Sequence, residues 1–254
     1  MTNAAGNETG VVVNGVLAMV YGNEFVANHV PLEEGENTIT ATATDAAGHT
    51  LSASIVVNAD TTGDHIRITV DEESGVTPFE ATLRVEGTFS FTDSDLTYTG
   101  PNEVEFLENP NENEYTVRIE TPGLYYFTAE VDHEGTIYTD TIALLVMDQG
   151  ELDALLRAKW EAMKAALANQ DISNALNYFA EDKKELHNEI YTAIYENLPQ
   201  IVQDMQEIRL IYIWNNVAKY RIRRDELYSG QLYAITYYIY FIVDKDGLWK
   251  IYRY

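Results

Sequence analysis

Proton transfer needs a carboxylate or an imidazole held where its surroundings can tune it. In the strand-rich stretch that closes the chain, the carboxylates are Glu207, Asp225, Glu226, Asp244 and Asp246. All five are read at strand ends or turns, and none within a strand. The one histidine after residue 150, His187, follows Leu186 in a helical pattern and reads as a surface residue. The expectation is therefore no catalytic residue, unless a buried tyrosine supplies one. Cysteine is absent, which removes disulfides, thiolate metal sites and cysteine nucleophiles. No glycine-rich phosphate loop, nucleophile elbow or zinc spacing is found, and no cofactor is expected.

Binding chemistry is better represented. Trp160, Tyr178, Trp214, Tyr220 and Tyr237 could line a pocket, each pairing an apolar body with a polar tip; the same residues would equally fill a core. Lys219, Arg221 and Arg223 share one face of a strand pattern, with Arg224 adjacent. That is either a solvated face or a docking surface for an acidic partner. Asp244-Lys245-Asp246-Gly247 has half the ligand pattern of a calcium loop but lacks the rest, and reads as a hairpin turn. The acidic loops Asp71-Glu72-Glu73 and Asp93-Ser94-Asp95 could hold calcium, although no metal site is assigned to them.

These residues need elements to place them. Tyr233 to Ile242 is a long strand, apolar or aromatic on both faces, and should be central and covered at least partly on both sides. Trp249 and Ile251 form its hairpin partner. Upstream, Leu152, Leu155, Leu156, Trp160, Met163 and Leu167 recur at helical spacing. Asp171 can cap a second helix carrying Ile172, Leu176 and Phe179. A third carries Leu186, Ile190, Ile194 and Leu198, and Pro199 ends or kinks it. Two strands follow, over Ile208–Trp214 and Ala218–Arg223.

Before residue 150 the pattern is all-β. Val11 to Val57 alternates through turns at Asn14-Gly15, Gly22-Asn23 and Asp45 to Gly48, and a second set of strands runs from Ile66 to Val146. Residues 1–150 hold 26 acidic and three basic residues, whereas 151–254 hold 15 and 13. The acidic part repels nucleic acid and anionic lipid, and the asymmetry marks a boundary near 150. No apolar run approaches the ~20 residues of a membrane span. Met1 to Ala4 has neither a basic nor an apolar leader region, so any export signal is expected upstream, with further domains.

Three resemblances sharpen this. The stretch from Val11 through Asn14-Gly15, Phe25, Glu34-Gly35-Glu36-Asn37-Thr38-Ile39-Thr40-Ala41 and Asp45-Ala46-Ala47-Gly48 resembles bacterial immunoglobulin-like domains of the glucodextranase domain-B kind. Gly75-Val76-Thr77-Pro78-Phe79 and Thr121-Pro122-Gly123-Leu124-Tyr125 resemble the polycystic-kidney-disease type of immunoglobulin-like domain, with Phe89 and Phe91 in place of the family's usual tryptophan. The helix with Trp160, the run Asp171 to Phe179 and the ending from Phe241 to Tyr254 are similar to the nuclear-transport-factor-like superfamily, which includes SnoaL-type cyclases and ketosteroid isomerases.

The resulting expectation is a multidomain chain: immunoglobulin-like β-sandwiches over 1–60 and 64–148, then an α+β cone over 151–254, with three helices on a curved antiparallel sheet. The resemblances imply export and an extracellular or cell-surface setting in a bacterium. The expected role is a non-enzymatic interaction or spacer fragment, adhesion-related, with a protein or glycan partner, no nucleic acid and no membrane insertion. One alternative is a small-ligand-binding or catalytic cone displayed on the sandwiches. Another is carbohydrate binding by the sandwiches, with Tyr21 or Tyr98 as a flat platform.

Overall fold

A computed structural model describes residues 8–109 and 111–254, without the side chains of residues 224–226 and 228. The chain divides into two compact units, one over Thr9–Gln149 and the other over Gly150–Tyr254 together with Glu8. Among the described residues no helix is long and apolar enough to cross a membrane.

The first unit begins with β1 (Thr9–Val13), β2 (Val16–Tyr21), β3 (Glu24–Val26), β4 (Gly35–Asp45) and β5 (Thr50–Ala59). The β1–β2 hairpin turns on Asn14 and Gly15, both at positive φ (47° and 88°), as a two-residue turn between twisted strands requires. The five strands form one antiparallel sheet in the order β3-β2-β1-β4-β5. This differs from the expected two-layer sandwich. β5 continues the ladder of β4 from Gly35↔Ala59 to Thr44↔Thr50 instead of crossing to a second sheet. One face carries hydroxyl pairs, Thr40 with Ser54 at 2.8 Å and Thr42 with Ser52 at 2.9 Å. The other is apolar. It is buried at Val11 and Val13 but open along β5, where Leu51 is 78% and Ile55 61% exposed.

Residues 66–147 do form a sandwich. Its sheets are β10-β11-β8-β6 and β7-β13-β12-β9, built from β6 (Ile66–Val70), β7 (Ser74–Val76), β8 (Phe79–Gly87), β9 (Asp95–Thr99), β10 (Glu105–Leu107), β11 (Glu114–Ile119), β12 (Gly123–His133) and β13 (Thr136–Met147). Alternate residues of each sheet face inward. Phe79, Ala81, Leu83 and Val85 from one meet Tyr125, Phe127, Ala129 and Val131 from the other. The Tyr125 hydroxyl donates to the Thr121 carbonyl, four residues back, at 2.9 Å, a corner typical of immunoglobulin-like sandwiches. Phe89 stacks on His133 and packs with Phe91 and Tyr138 at the edge of this core.

A small cluster of Met19, Leu124, Ala143 and Leu145 joins the two parts of this unit. β7 pairs only with Leu145–Met147, so among the described residues no strand lies beside the outward peptide groups of Ala143. The buried Asn28 side chain takes that place. Its amide donates to the Ala143 carbonyl and its carbonyl accepts from the Ala143 N–H, both at 2.9 Å. Nearby, Asp140 accepts from the Ile68 N–H at 2.7 Å and faces the His29 ring at 3.4 Å.

The second unit has four α-helices rather than three: α1 (Gln149–Ala168), α2 (Ile172–Leu176), α3 (Lys184–Ala193) and α4 (Leu198–Asp204). They lie on an antiparallel sheet ordered β14-β15-β16-β17, from β14 (Arg209–Trp214), β15 (Val217–Tyr228), β16 (Gln231–Val243) and β17 (Trp249–Arg253). All of the expected α1 stripe is buried. Asp171 caps α2, accepting from the Asn174 N–H at 3.0 Å. Pro199 sits in the first turn of α4, where its missing N–H costs nothing, so it starts a helix instead of ending one.

The third helix is rotated from its expected phase. Leu186 (54%) and Ile190 (42%) are exposed, whereas His187 and Tyr191 are buried. Both inward rings pack on Phe179, and a tight turn over Tyr195–Asn197 separates Leu198 from the helix. β16 is an interior strand, but β17 reaches only Tyr240 to Val243, and only Ile239 and Phe241 are fully buried in it. Asp225 and Glu226 lie within β15, opposite Ala234 and Tyr233, not at a strand end as read from the sequence.

Glu8 is buried in this unit. It accepts from the Trp249 N–H at 2.7 Å and forms an ion pair with Lys159, itself 11% exposed. Two variants test these buried polar contacts. Asn28→Ala strands the Ala143 N–H and C=O, and should lower stability by about 2–4 kcal/mol in urea unfolding, with faster amide exchange at Ala143. Glu8→Ala leaves the buried Lys159 charge without its carboxylate and the Trp249 N–H without its acceptor, and should cost about 3–5 kcal/mol. Adding Lys159→Met, which removes the buried charge but also the donor to the Trp249 carbonyl, should recover only part of that loss in a double-mutant cycle.

Candidate ligand site

The aromatic cluster behind α3 sets the geometry. Phe179 is held by an isolated parallel bridge to Ile251, with the Ala180 N–H donating to the Ile251 carbonyl at 2.9 Å and the Ile251 N–H to the Tyr178 carbonyl at 2.8 Å. His187 stacks on Tyr254, centroids 5.4 Å apart at 8°, and lies 4.2 Å from Phe179. Tyr254 also meets Trp160 edge-on at 5.5 Å. The hydroxyls of Tyr191 and Tyr254 are hydrogen-bonded to each other.

Beside this cluster lies a hollow of about 300 Å³ between α3, α4 and the β15–β16 face. Its wall is mostly aliphatic, with Leu167, Ile194, Leu198, Met205, Ile222 and Ile239 as the main contributors. The polar groups are the Tyr191 and Tyr254 phenols, with Tyr237, Gln206 and Asp204 also lining it. Burial raises the Tyr191 phenol far above the ordinary phenol range, and Tyr254 beside it adds to the shift. Burial raises Tyr254 as well, while its bond to Tyr191 opposes the shift. Both therefore stay protonated at neutral pH and can offer one shared hydroxyl pair to a polar ligand end.

Of the five aromatics singled out from the sequence, only Tyr237 lines this hollow. Trp160 is fully buried in the core, its indole donating to the Gln206 carbonyl at 3.3 Å. Tyr220 is likewise buried; its hydroxyl donates to Asp153 at 2.9 Å, and burial raises its phenol. Tyr178 is half-buried in the segment that bridges to β17, and Trp214 is 62% exposed at the end of β14. Tyr191 and Tyr254 were missed. His187 and Tyr191, four residues apart, are a helical aromatic signal, but Phe179 and Tyr254 reach them only through the bridge to Ile251 and the register of β17.

The basic strand face also separates into parts. Lys219 lies over the rings of Tyr238 and Tyr240, at 4.3 and 5.3 Å, and the Arg224 side chain is outside the described residues. Arg221 and Arg223 instead join Arg209, which stands opposite Arg221 on β14. The Asp244–Gly247 segment is a hairpin turn: Gly247 N–H donates to the Asp244 carbonyl at 2.8 Å and Gly247 takes a φ of 79°. Asp71 is occupied as a backbone clamp, accepting from the Glu72 and Thr82 N–H groups. Among the described residues no group of three His, Asp or Glu side chains is placed to hold a metal ion. Tyr98 is not a free platform, because it packs against Phe106 and Phe127 and accepts from the Val104 N–H.

His187 is a buried residue, not the surface histidine expected, and its Nδ1 has no hydrogen-bond partner among the described residues. Burial, with the nearby Lys183 charge, holds its imidazole below the ordinary 6.5.

No family model matches the chain, and no curated protein matches it. Among solved structures, a PcdhgB3 EC1-4 fragment is 16% identical over 45% of this chain and 32% of its own, with a TM-score of 0.27. Murine CEACAM1b is 14% identical over 51% of this chain and 68% of its own, also at 0.27. A Bacteroides ovatus mixed-linkage glucan utilization protein, SGBP-B, in complex with a mixed-linkage heptasaccharide, is 16% identical over 55% of this chain and 37% of its own, at 0.20. The chain thus spans about a third of the first and third of these. The class defined by the fold is a β-rich protein with an immunoglobulin-like sandwich and a separate helix-on-sheet unit.

The depressed imidazole gives a pH test. Below pH 6.5 the unfolded chain binds a proton at His187 that the folded chain refuses, so stability falls as pH drops from 6.5 to the lowered folded value. His187→Phe should remove that contribution, so the stability difference between the two proteins should move in favour of the variant between pH 7 and 5.5 in urea unfolding.

Proposed function

We propose that the second unit binds a small, mainly apolar molecule with one polar end, and that the first unit carries it as an interaction and spacer module. The carrying observation is the aliphatic hollow with a single protonated tyrosine pair in its wall. Its volume of about 300 Å³ lies at the low end of the ~300–1,000 Å³ typical of small-molecule pockets. Ile190, Ile201 and Tyr237 leave its rim apolar and partly exposed, which supports entry of a ligand from solvent.

Binding without turnover is the reading that fits the lining. General acid–base work favours a group that titrates near the working pH. The two phenols that line the hollow are pushed away from that range. Among the described residues its one carboxylate, Asp204, is exposed at the edge. For the first unit, the open apolar strip along β5 favours a protein-contacting role over a glycan platform. An extracellular bacterial setting follows from the resemblances and is part of the same proposal.

Thermal unfolding with 1-naphthol, octanol and decanoate tests the site. A ligand at a hundred times its Kd should add about 2.7 kcal/mol. Ile194→Trp, which fills the hollow, should abolish the gain without lowering the unliganded melting temperature. Stabilisation that survives in Ile194→Trp, or none with any of the three, would overturn the assignment.

A further inference from the structure

On the face of the second unit's sheet opposite Tyr220 and Ile222, three guanidinium groups converge. Arg209 on β14 stands directly across from Arg221 on β15, and Arg223 follows two residues along on the same face. Like charges directly opposed on neighbouring strands destabilise a sheet. None of the three has an ion-pair partner among the described residues, although the chain as a whole carries a net charge of −25. They line a concave site of about 420 Å³, shared with Gln206 and, among the described residues, a single carboxylate, Glu207. All three arginines are exposed.

We propose that this is a binding site for a phosphate-monoester dianion. Among the described residues, three arginines against one glutamate leave an excess of two positive charges, which matches a dianion. A tetrahedral phosphate offers three terminal oxygens, one for each guanidinium fork, whereas one carboxylate offers two. The site exceeds the needs of bare phosphate and leaves room for the organic part of an ester. Thr236 and Tyr238, paired with Arg223 and Arg221 across the β15–β16 ladder, stand next to the site on the same face and can meet that part. The concavity and the acidity of the chain favour a small soluble ester over a long polyanion, which the −25 charge would repel. The site is separate from the apolar hollow, with only Gln206 lining both, and does not depend on the ligand reading given to it.

The test is thermal unfolding and isothermal calorimetry with inorganic phosphate and glycerol 2-phosphate, at ionic strength held constant with sodium chloride. The comparison protein is Arg221→Gln/Arg223→Gln. Both positions are exposed and mutually repelled, so the variant should fold with an unchanged or higher melting temperature. Saturable binding of glycerol 2-phosphate, at least tenfold weaker in the double variant and retained in Ile194→Trp, is the expected result. Three outcomes would overturn the proposal: an equal effect from chloride alone, an unchanged Kd in the double variant, or binding confined to a polyanion such as poly-glutamate.

Discussion

Helix α1 is the member on which the second unit depends. Its apolar stripe supplies the core, but its polar side chains fix the helical layer to the sheet. The Arg157 guanidinium donates to the Ile208 carbonyl at 2.6 Å, just ahead of β14, and to Asp153 at 2.8 Å. Lys159 donates to the Trp249 carbonyl at 2.8 Å on β17, at the other edge of the sheet. Asp153 in turn receives the Tyr220 hydroxyl from β15. Backbone carbonyls at both margins, which would otherwise be buried without donors, are satisfied from one helix. Hydrophobic packing alone would permit α1 to slide or rotate; these directional bonds set its position.

The hollow follows from what α1 does not cover. The sheet is longer than its helical roof, because β15 and β16 run 12 and 13 residues while β17 has five. The shorter helices α3 and α4 meet the sheet over this remaining length, separated by the turn at Tyr195–Asn197. The aromatic rings of Phe179, His187, Tyr191 and Tyr254 fill one side of the gap, and aliphatic side chains line the rest. The space thus arises from unequal element lengths rather than from a missing core residue.

Features governed by local period were legible in the amino-acid sequence. The α1 stripe, the Asp171 cap, the Asp244–Gly247 turn and the sandwich strands β6, β8, β11, β12 and β13 fall where their spacing places them, whereas the short strands β7, β9 and β10 gave no such signal and the Phe89–Phe91 stretch forms no strand. Features that depend on pairing between distant segments were not. The phase of α3 could not be read from Leu186, Ile190 and Ile194, because the rings of Phe179 and Tyr254 decide which side turns inward. Arg209 joins Arg221 only through the β14–β15 register, which a bulge between Leu210 and Tyr212 shifts. The single sheet of residues 9–59 shares its strand and turn signals with a two-layer sandwich; the partner of each strand, not its composition, makes the difference.

The Asn28 side chain has a consequence for the order of events in synthesis. Ala143, which it braces on both sides, emerges from the ribosome 115 residues later. Until then Met19 and Asn28 of the sheet over residues 9–59 are unsheltered. A nascent polypeptide built this way gains from rapid elongation or from a chaperone at the ribosome, since this sheet is completed by a strand made later.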